Sequence, residues 1–422
     1  MKTVNIGILG CGTVGSGVLK TLAENGEWIE RRENLKIQVK RILIRDLSKE
    51  RPAGYAKNIF TDKPEAVLDD PEIDIVVELL NGEDPAAEYL LRAIAVGKPV
   101  VTANKSVVAA RWKDIMTASR GGRHVFFDAS VCGGIPIISI LSNSMQANRI
   151  NRVLGIINGT TNYILTRMSK DSTPFQTALA QAQALGIAET DATADIEGFD
   201  AASKLSIIAS LVAGRHVPVD SIYREGISNI NEDDISIGKE LGFTLKMLAI
   251  AAVNDDSVEA RVHPAFISSK HALASVNDTF NAVFIDGNAV GELMLYGRGA
   301  GDLPTASSVI SDIITAAKTM GADAPGIINT TEETVAADDW ESEYYIRMTV
   351  PDRPGVLSKI SGIFGDYRIS ISSLIQKGFD TPYVPLVFVT HPCGKNAMLE
   401  ALRKIKETQF IISIDNLIHV VR

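Results

Sequence analysis

The chain is poor in cysteine. Its three cysteines, Cys11, Cys132 and Cys393, stand far apart, which excludes a disulfide framework and paired-cysteine metal spacing and fits a reduced compartment. Positive charge is also scarce: 42 Lys and Arg against 51 Asp and Glu, a net charge of −9. That balance argues against sequence-independent nucleic-acid binding. No uncharged apolar run approaches the ~18 residues of a membrane span. The opening MKTVNIGILGCG has no basic stretch before its short apolar run, so no secretion signal is expected. The expectation is a cytoplasmic protein with neither membrane nor nucleic-acid partners. His263 and His271 have no partners at metal-ligand spacing and read as structural. What is abundant is apolar residues, 45% of 422, over a length that suggests two to three domains.

One stretch stands out. Glu189 to Lys204 reads ETDATADIEGFDAASK, with acids at Glu189, Asp191, Asp195, Glu197 and Asp200 and a base at Lys204. Gly198 breaks the chain before an apolar helical run through Leu205, Ile207, Ile208, Leu211 and Val212. Asp200 and Lys204 are four apart and share one helix face. The carboxylate would hold the ammonium charged. An ammonium fixed beside an acidic loop suits an amino-acid substrate and a proton transfer. The plainer reading is a solvated ion pair at a helix start.

The first third alternates strands and helices. Val4–Leu9 reads as a buried strand, followed by Gly10-Cys11-Gly12-Thr13-Val14-Gly15 and a helix to about Glu24, closed by Gly26. This is a GxGxxG loop between strand and helix, where glycines permit a tight turn and close approach of a pyrophosphate to a helix N-terminus. A second strand, Ile37–Ile44, ends in Arg45-Asp46. A carboxylate at that point holds the ribose of NAD, whereas an arginine meets the 2′-phosphate of NADP; Arg45 tilts the choice to NADP and Asp46 keeps NAD open. Strands at Ile73–Leu80, Pro99–Thr102 and His124–Asp128 and a helix at Pro85–Val96 continue the pattern. Lys105 and Asn81-Gly82 fall at C-terminal strand ends, where open parallel sheets bind ligands. The fold class expected is α/β with a Rossmann-type doubly wound parallel sheet.

Downstream, Ile150–Ile157 is a strand, Asn158–Asn162 a polar turn, Tyr163–Met168 a helix and Pro174–Leu185 another. Strand-like runs at Lys246–Val253, Glu259–Ile267, Asn281–Ile285 and Glu292–Tyr296 suggest an α+β domain with a mixed sheet. A glycine turn, Gly297–Gly301, precedes a helix Pro304–Met320 that would return to the nucleotide domain. The acidic segment Asn329–Glu343 reads as a linker. A βαββαβ unit follows: strands Tyr344–Val350, Ile369–Gln376, Val384–Thr390 and Phe410–Val421, with helices Val356–Phe364 and Asn396–Lys406. The expected division is residues 1–135 for nucleotide binding, completed by about 302–325, 136–301 for substrate and oligomerisation, 326–343 as linker and 344–422 as a regulatory tail.

Together these pieces resemble homoserine dehydrogenase over nearly the whole chain. The glycine loop is Gly10–Gly15, the family's TANK element is Thr102–Lys105, its NGTTNYIL element is Asn158–Leu165, and its acidic signature ends at Asp200-x-x-x-Lys204. A glycine turn with PTAS matches Gly297–Ser307, and Asp352–Leu357 resembles the opening of an ACT domain. The resemblance implies reversible NAD(P)H-dependent reduction of L-aspartate 4-semialdehyde to L-homoserine, on the route to threonine, methionine and isoleucine. Carried over, Lys204 is the proton donor, Asp200 its orienting partner, and Lys105 lies between nicotinamide and substrate. Glu189 and Asp195 hold the substrate's amino end. Gly10, Gly12, Thr13, Val14, Gly15, Arg45, Lys105 and Gly301 contact the cofactor. The family's sodium site maps to Asp128, Val131, Gly133 and Ile135. The resemblance further implies a homodimer or homotetramer and a threonine effector for the tail.

The sequence departs from the family pattern at four places. Ala192 stands where proline is usual, Ile187 replaces an aromatic, Arg298 replaces a proline, and Asp128 replaces the longer glutamate of the cation site. Two other functions stay open on sequence alone. One is an aldehyde-oxidising dehydrogenase of the aspartate-semialdehyde type, which would need Cys132 as nucleophile beside a base. The other is a catalytically inactive amino-acid sensor working through its tail.

Overall fold

The computed structural model describes residues 1–48, 56–119, 125–254, 257–321, 331–376 and 381–422. His124 of one expected strand, residues 322–325 of the returning segment and 326–330 of the expected linker lie outside the described residues.

A strand buried on both faces needs consecutive apolar side chains. Val4, Ile6, Ile8 and Leu9 meet that need, each fully buried. Their strand, Lys2–Leu9 (β1), sits in a six-stranded parallel sheet with Leu35–Leu43 (β2), Phe60–Thr61 (β3), Ile75–Glu78 (β4), Val100–Thr102 (β5) and Val125–Phe126 (β6). The order is β3-β2-β1-β4-β5-β6. Order reverses between β1 and β4, so the sheet has its ligand crevice there. The glycine loop leaves β1 at that crevice.

The helix after the loop is longer than its sequence suggested. It spans Thr13–Glu33 and ends where Asn34 takes a left-handed conformation, φ 51°. Gly26 does not stop it. A helical glycine costs about 1 kcal/mol, and the turn beyond it buries Ile29, which offsets that cost. Gly17, on the same helix, admits a close crossing: a Cβ there would lie 2.5 Å from the Asp302 carbonyl oxygen. The helix Asp302–Thr319 uses the space, returning to pack Ala306, Val309 and Ile313 into the nucleotide-domain core.

The remaining strands are Ile150–Ile156 (β7), Tyr223–Arg224 (β8), Phe243–Val253 (β9), Val258–Ser268 (β10), Phe280–Gly287 (β11), Gly291–Arg298 (β12), Glu341–Pro351 (β13), Ile371–Gln376 (β14), Tyr383–Thr390 (β15), Cys393–Gly394 (β16) and Ser413–Val421 (β17). They form one mixed sheet, in the path β12-β11-β7-β9-β10-β17-β13-β15-β14, with β8 and β16 pairing off it. The tail's βαββαβ order is present, with helices Val356–Asp366 and Lys395–Lys406.

The tail does not stand apart from the body. Strand β17 pairs in parallel with β10, matching Ala265 to His419 and Ile267 to Val421. Beneath the seam, Asp234 of the helix Glu232–Glu240 is wholly buried. It accepts bonds from Arg347 Nε (2.7 Å), Asn416 Nδ2 (2.8 Å) and the Tyr345 hydroxyl (3.1 Å). His263 and His419 face each other with ring centres 4.0 Å apart, their pKa values pushed down chiefly by burial. The acidic segment is pinned too. Glu332 accepts the His216 amide at 2.7 Å and Ala337 donates to Val258 at 2.8 Å. The described part of the expected linker, from residue 331 on, is here an ordered strap, because its backbone groups find partners on the body.

Candidate active site

The helix Phe199–Ala213 starts at Gly198, whose φ of +78° lets the chain turn sharply from the acidic loop. Leu205, Ile208 and Ala202 bury one face and so turn Asp200 and Lys204 to a cavity. Lys204 Nζ donates to Asp200 Oδ2 at 2.7 Å and to the Ile157 carbonyl at 2.9 Å. The second oxygen, Asp200 Oδ1, lies 3.0 Å from Lys105 Nζ. Lys105 begins the helix Lys105–Ala110, whose cap Asn104 accepts the Val107 N–H. One carboxylate therefore joins two lysines from different elements. Burial opposes charge at Asp200, yet the Lys204 and Lys105 ammonium groups outweigh it and hold its pKa well below the usual range. Burial likewise opposes charge at Lys204, and Asp200 outweighs it and raises that pKa. Both groups are charged at neutral pH.

Lys105, Glu189, Asp195, Asp200, Lys204 and Gly301 share the lining of one cavity of about 740 Å³. Gly301, expected at the cofactor, stands on this cavity, not in the glycine-loop cleft. The turn Asn158–Asn162 is the first turn of a helix Gly159–Asp171. Asn158 caps that helix by accepting from Thr161 N (2.9 Å), and its Nδ2 donates to Asp195 (2.6 Å) and Asp200 (2.9 Å). In the sequence Asn158 reads as a turn residue; its place just before a helix is the signal of its capping role. Glu78 was missed as well. It is fully buried at the end of β4 and accepts from Thr102 Oγ1 (2.6 Å) and Leu80 N (2.7 Å), tying two strand ends together. An acid closing an otherwise apolar strand was its signal.

A second cavity, of about 460 Å³, opens at the sheet crevice and is lined by Gly10, Gly12, Arg45 and Asn81. Gly10 has φ +104°, and a Cβ on Gly15 would lie 2.5 Å from the Gly10 carbonyl. Gly12 faces open space, room that a phosphate-bearing ligand would fill. Thr13 and Val14 are the first residues of the helix beyond. Arg45 is exposed at the end of β2, while Asp46 accepts from the Ser48 amide (2.9 Å) and hydroxyl (2.6 Å).

The turn after β6 buries Asp128, Val131, Gly133 and Ile135 together. Asp128 Oδ1 accepts from Ile138 N at 2.9 Å, and the Gly133 carbonyl accepts from Ser308 at 2.7 Å. The Asp128 amide donates to Asp312 Oδ2 at 2.9 Å. Burial raises both carboxyls, and neither has an ion pair among the described residues. Cys132 in the same turn is buried, and desolvation pushes its thiol up to about 11, with Lys204 opposing. A buried thiol held in its neutral form is a poor nucleophile, which counts against the aldehyde-oxidising alternative.

A glycine-loop cleft beside a cavity with two carboxylate-linked lysines defines a nicotinamide-dependent dehydrogenase. Family models for the homoserine dehydrogenase NAD-binding domain, for homoserine dehydrogenase and for the ACT domain match residues 10–128, 136–314 and 344–408. The chain is 40% identical to a homoserine dehydrogenase of Synechocystis over 99% of both chains. It belongs to the homoserine dehydrogenase family and is an oxidoreductase. A solved homoserine dehydrogenase from Thiobacillus denitrificans, 39% identical, covers 100% of this chain and 99% of its own with a TM-score of 0.93. A hyperthermophilic archaeal homoserine dehydrogenase, in complex with NADPH, is 27% identical, with a TM-score of 0.64 over 77% of this chain and 99% of its own.

Proposed function

We propose that Lys204 donates a proton to the aldehyde oxygen of L-aspartate 4-semialdehyde as L-homoserine forms, with Asp200 orienting it and Lys105 stabilising the developing oxyanion. The observation that carries this reading is the single carboxylate of Asp200 shared between Lys204 and Lys105. Hydride arriving at the carbonyl carbon builds negative charge on oxygen, and preorganised cations lower that barrier. Bound reduced nicotinamide supplies the hydride. Glu189 and Asp195 on the same cavity take the substrate's ammonium, and Asn158 fixes Asp195 for it. The product suits the biosynthesis of threonine, methionine and isoleucine. The test is nicotinamide absorbance with homoserine and NADP: no turnover by the wild-type chain would leave the inactive sensor as the better reading.

Arg45 supports NADP over NAD, since it is exposed on the cleft while Asp46 is engaged by Ser48. The archaeal relative's complex with NADPH agrees. The hard oxygen donors of Asp128, Val131, Gly133 and Ile135 suit sodium. A cation there would offset two buried carboxylates that lack a basic side chain. In the tail, the turn at Gly355 (φ +92°) opens a helix, whose N-terminus would take a carboxylate. Threonine, with its ammonium on Asp352, is the effector proposed. Asp352→Ala in the full-length chain should abolish threonine inhibition; unchanged inhibition removes the turn from the reading. Removing the tail is the wrong experiment, because it would strip β10 of its partner β17.

A further inference from the structure

Residues 223–230 form a strip with two working sides. On one side, the Arg224 guanidinium lies 3.5 Å over the centre of the Phe199 ring. Ile227 N donates to the Ile196 carbonyl at 2.9 Å, and the Ser228 hydroxyl donates to Glu197. A Cβ on Gly226 would lie 2.3 Å from the Glu197 carboxylate, so the strip and the acidic loop are packed in direct contact. Phe199 lines the substrate cavity, and Glu197 is two residues from Asp195.

On the other side, Tyr223, Glu225 and Asn229 line a cavity of about 560 Å³ between body and tail. Arg403 and Lys406 of the helix Lys395–Lys406 and Asn416 of β17 form the opposite wall. The charges divide by wall. Glu225 accepts from the Tyr223 hydroxyl at 3.3 Å and has no ion pair among the described residues. Burial raises its pKa. Lys406 is exposed and likewise has no ion pair among the described residues. The one acid lining the tail wall, Asp415, is already held by Thr349 (2.8 Å), Ser413 and Arg347 (3.4 Å). A half-buried carboxylate on the body thus shares a cavity with an unpaired ammonium on the tail, without touching it. What satisfies both is a molecule carrying an ammonium at one end and a carboxylate at the other.

We propose that this cavity is a second ligand site, for a small zwitterion of the amino-acid type held by Glu225 and Lys406, and that its occupancy acts on the substrate cavity through residues 223–230. The coupling is reciprocal, so substrate and zwitterion alter each other's affinity by the same factor. The site is separate from the turn at Asp352.

The experiment is calorimetry of the full-length chain with each proteinogenic L-amino acid in turn. At least one should bind, and both Glu225→Gln and Lys406→Met should weaken it about ten-fold or more. The basal kcat of both variants should equal that of the wild type. In the wild type, the same amino acid should slow amide exchange within 223–230 and 193–197, a readout that does not depend on either variant folding. No binding, wild-type affinity in either variant, or protection confined to other segments overturns the proposal.

Discussion

Asp200 Oδ2 and Lys204 Nζ lie 2.7 Å apart, with side chains only 11% and 13% exposed. A surface pair at this spacing contributes little. Here water is largely excluded: removing Asp200 leaves Lys204 without its carboxylate, whereas removing Lys204 leaves Asp200 still paired with Lys105. Lys204→Ala should lower kcat by roughly 10² to 10⁴, the usual worth of a placed general acid, while circular dichroism stays that of the wild type. A variant with near wild-type kcat would remove Lys204 from the reaction.

The same pair sets an acid limit on stability. The folded Asp200 pKa lies below its ordinary value of about 3.9. Its contribution is full above that value and is lost as pH falls through the folded pKa, because the unfolded chain binds the extra proton first. Lys204 is the opposite case: its raised pKa keeps its contribution complete below about pH 10.4, with loss only above. Urea unfolding across an acid series should show wild-type stability falling more steeply below about pH 4 than that of Asp200→Asn. Parallel curves would mean the pair is not coupled to folding.

Arg45→Ala should weaken NADP binding by about 1.5 to 3 kcal/mol and leave NAD nearly unchanged, because only NADP presents a 2′-phosphate. Fluorescence titration of both dinucleotides measures this. Equal losses would place Arg45 outside phosphate recognition.

Much of this site was legible from spacing. Asp200 and Lys204 are one helical turn apart, and the glycine loop lies between a strand and a helix. Asn158 and Glu78 escaped notice because their roles come from partners far along the chain, Asp195 and Asp200 for one and Thr102 for the other. The boundary between body and tail was misleading for a related reason. A run such as TTEETVAADD is polar enough to read as a spacer, but polarity does not report the backbone partners that Val258 and His216 provide.

Asp234 tests that seam. Asp234→Ala would take from the buried Arg347 guanidinium its nearest carboxylate and leave it only the longer contact to Asp415 at 3.4 Å, at a cost of up to about 3 to 5 kcal/mol. Denaturant unfolding should show the loss, and amide exchange should quicken along β17 and β10. A loss under about 1 kcal/mol would mean the sheet pairing alone holds the tail.

Sodium should raise the melting temperature relative to an equal concentration of choline, and Asp128→Asn should remove the difference. Identical melting of the wild type in both salts would discard the cation site.

The close crossing at Gly17 bears on synthesis at the ribosome. The nucleotide-domain core takes Val18 and Leu19 from near the start of the chain and Val309 and Ile313 from about three hundred residues later. The first sheet is therefore translated long before one of its covering helices exists. A nascent chain arrested before Asp302 would keep that apolar face bare and protease-sensitive, and release past Thr319 would close it. The enzyme's earliest segment is thus among the last to be finished, and its safe passage depends on how quickly the middle of the chain is made.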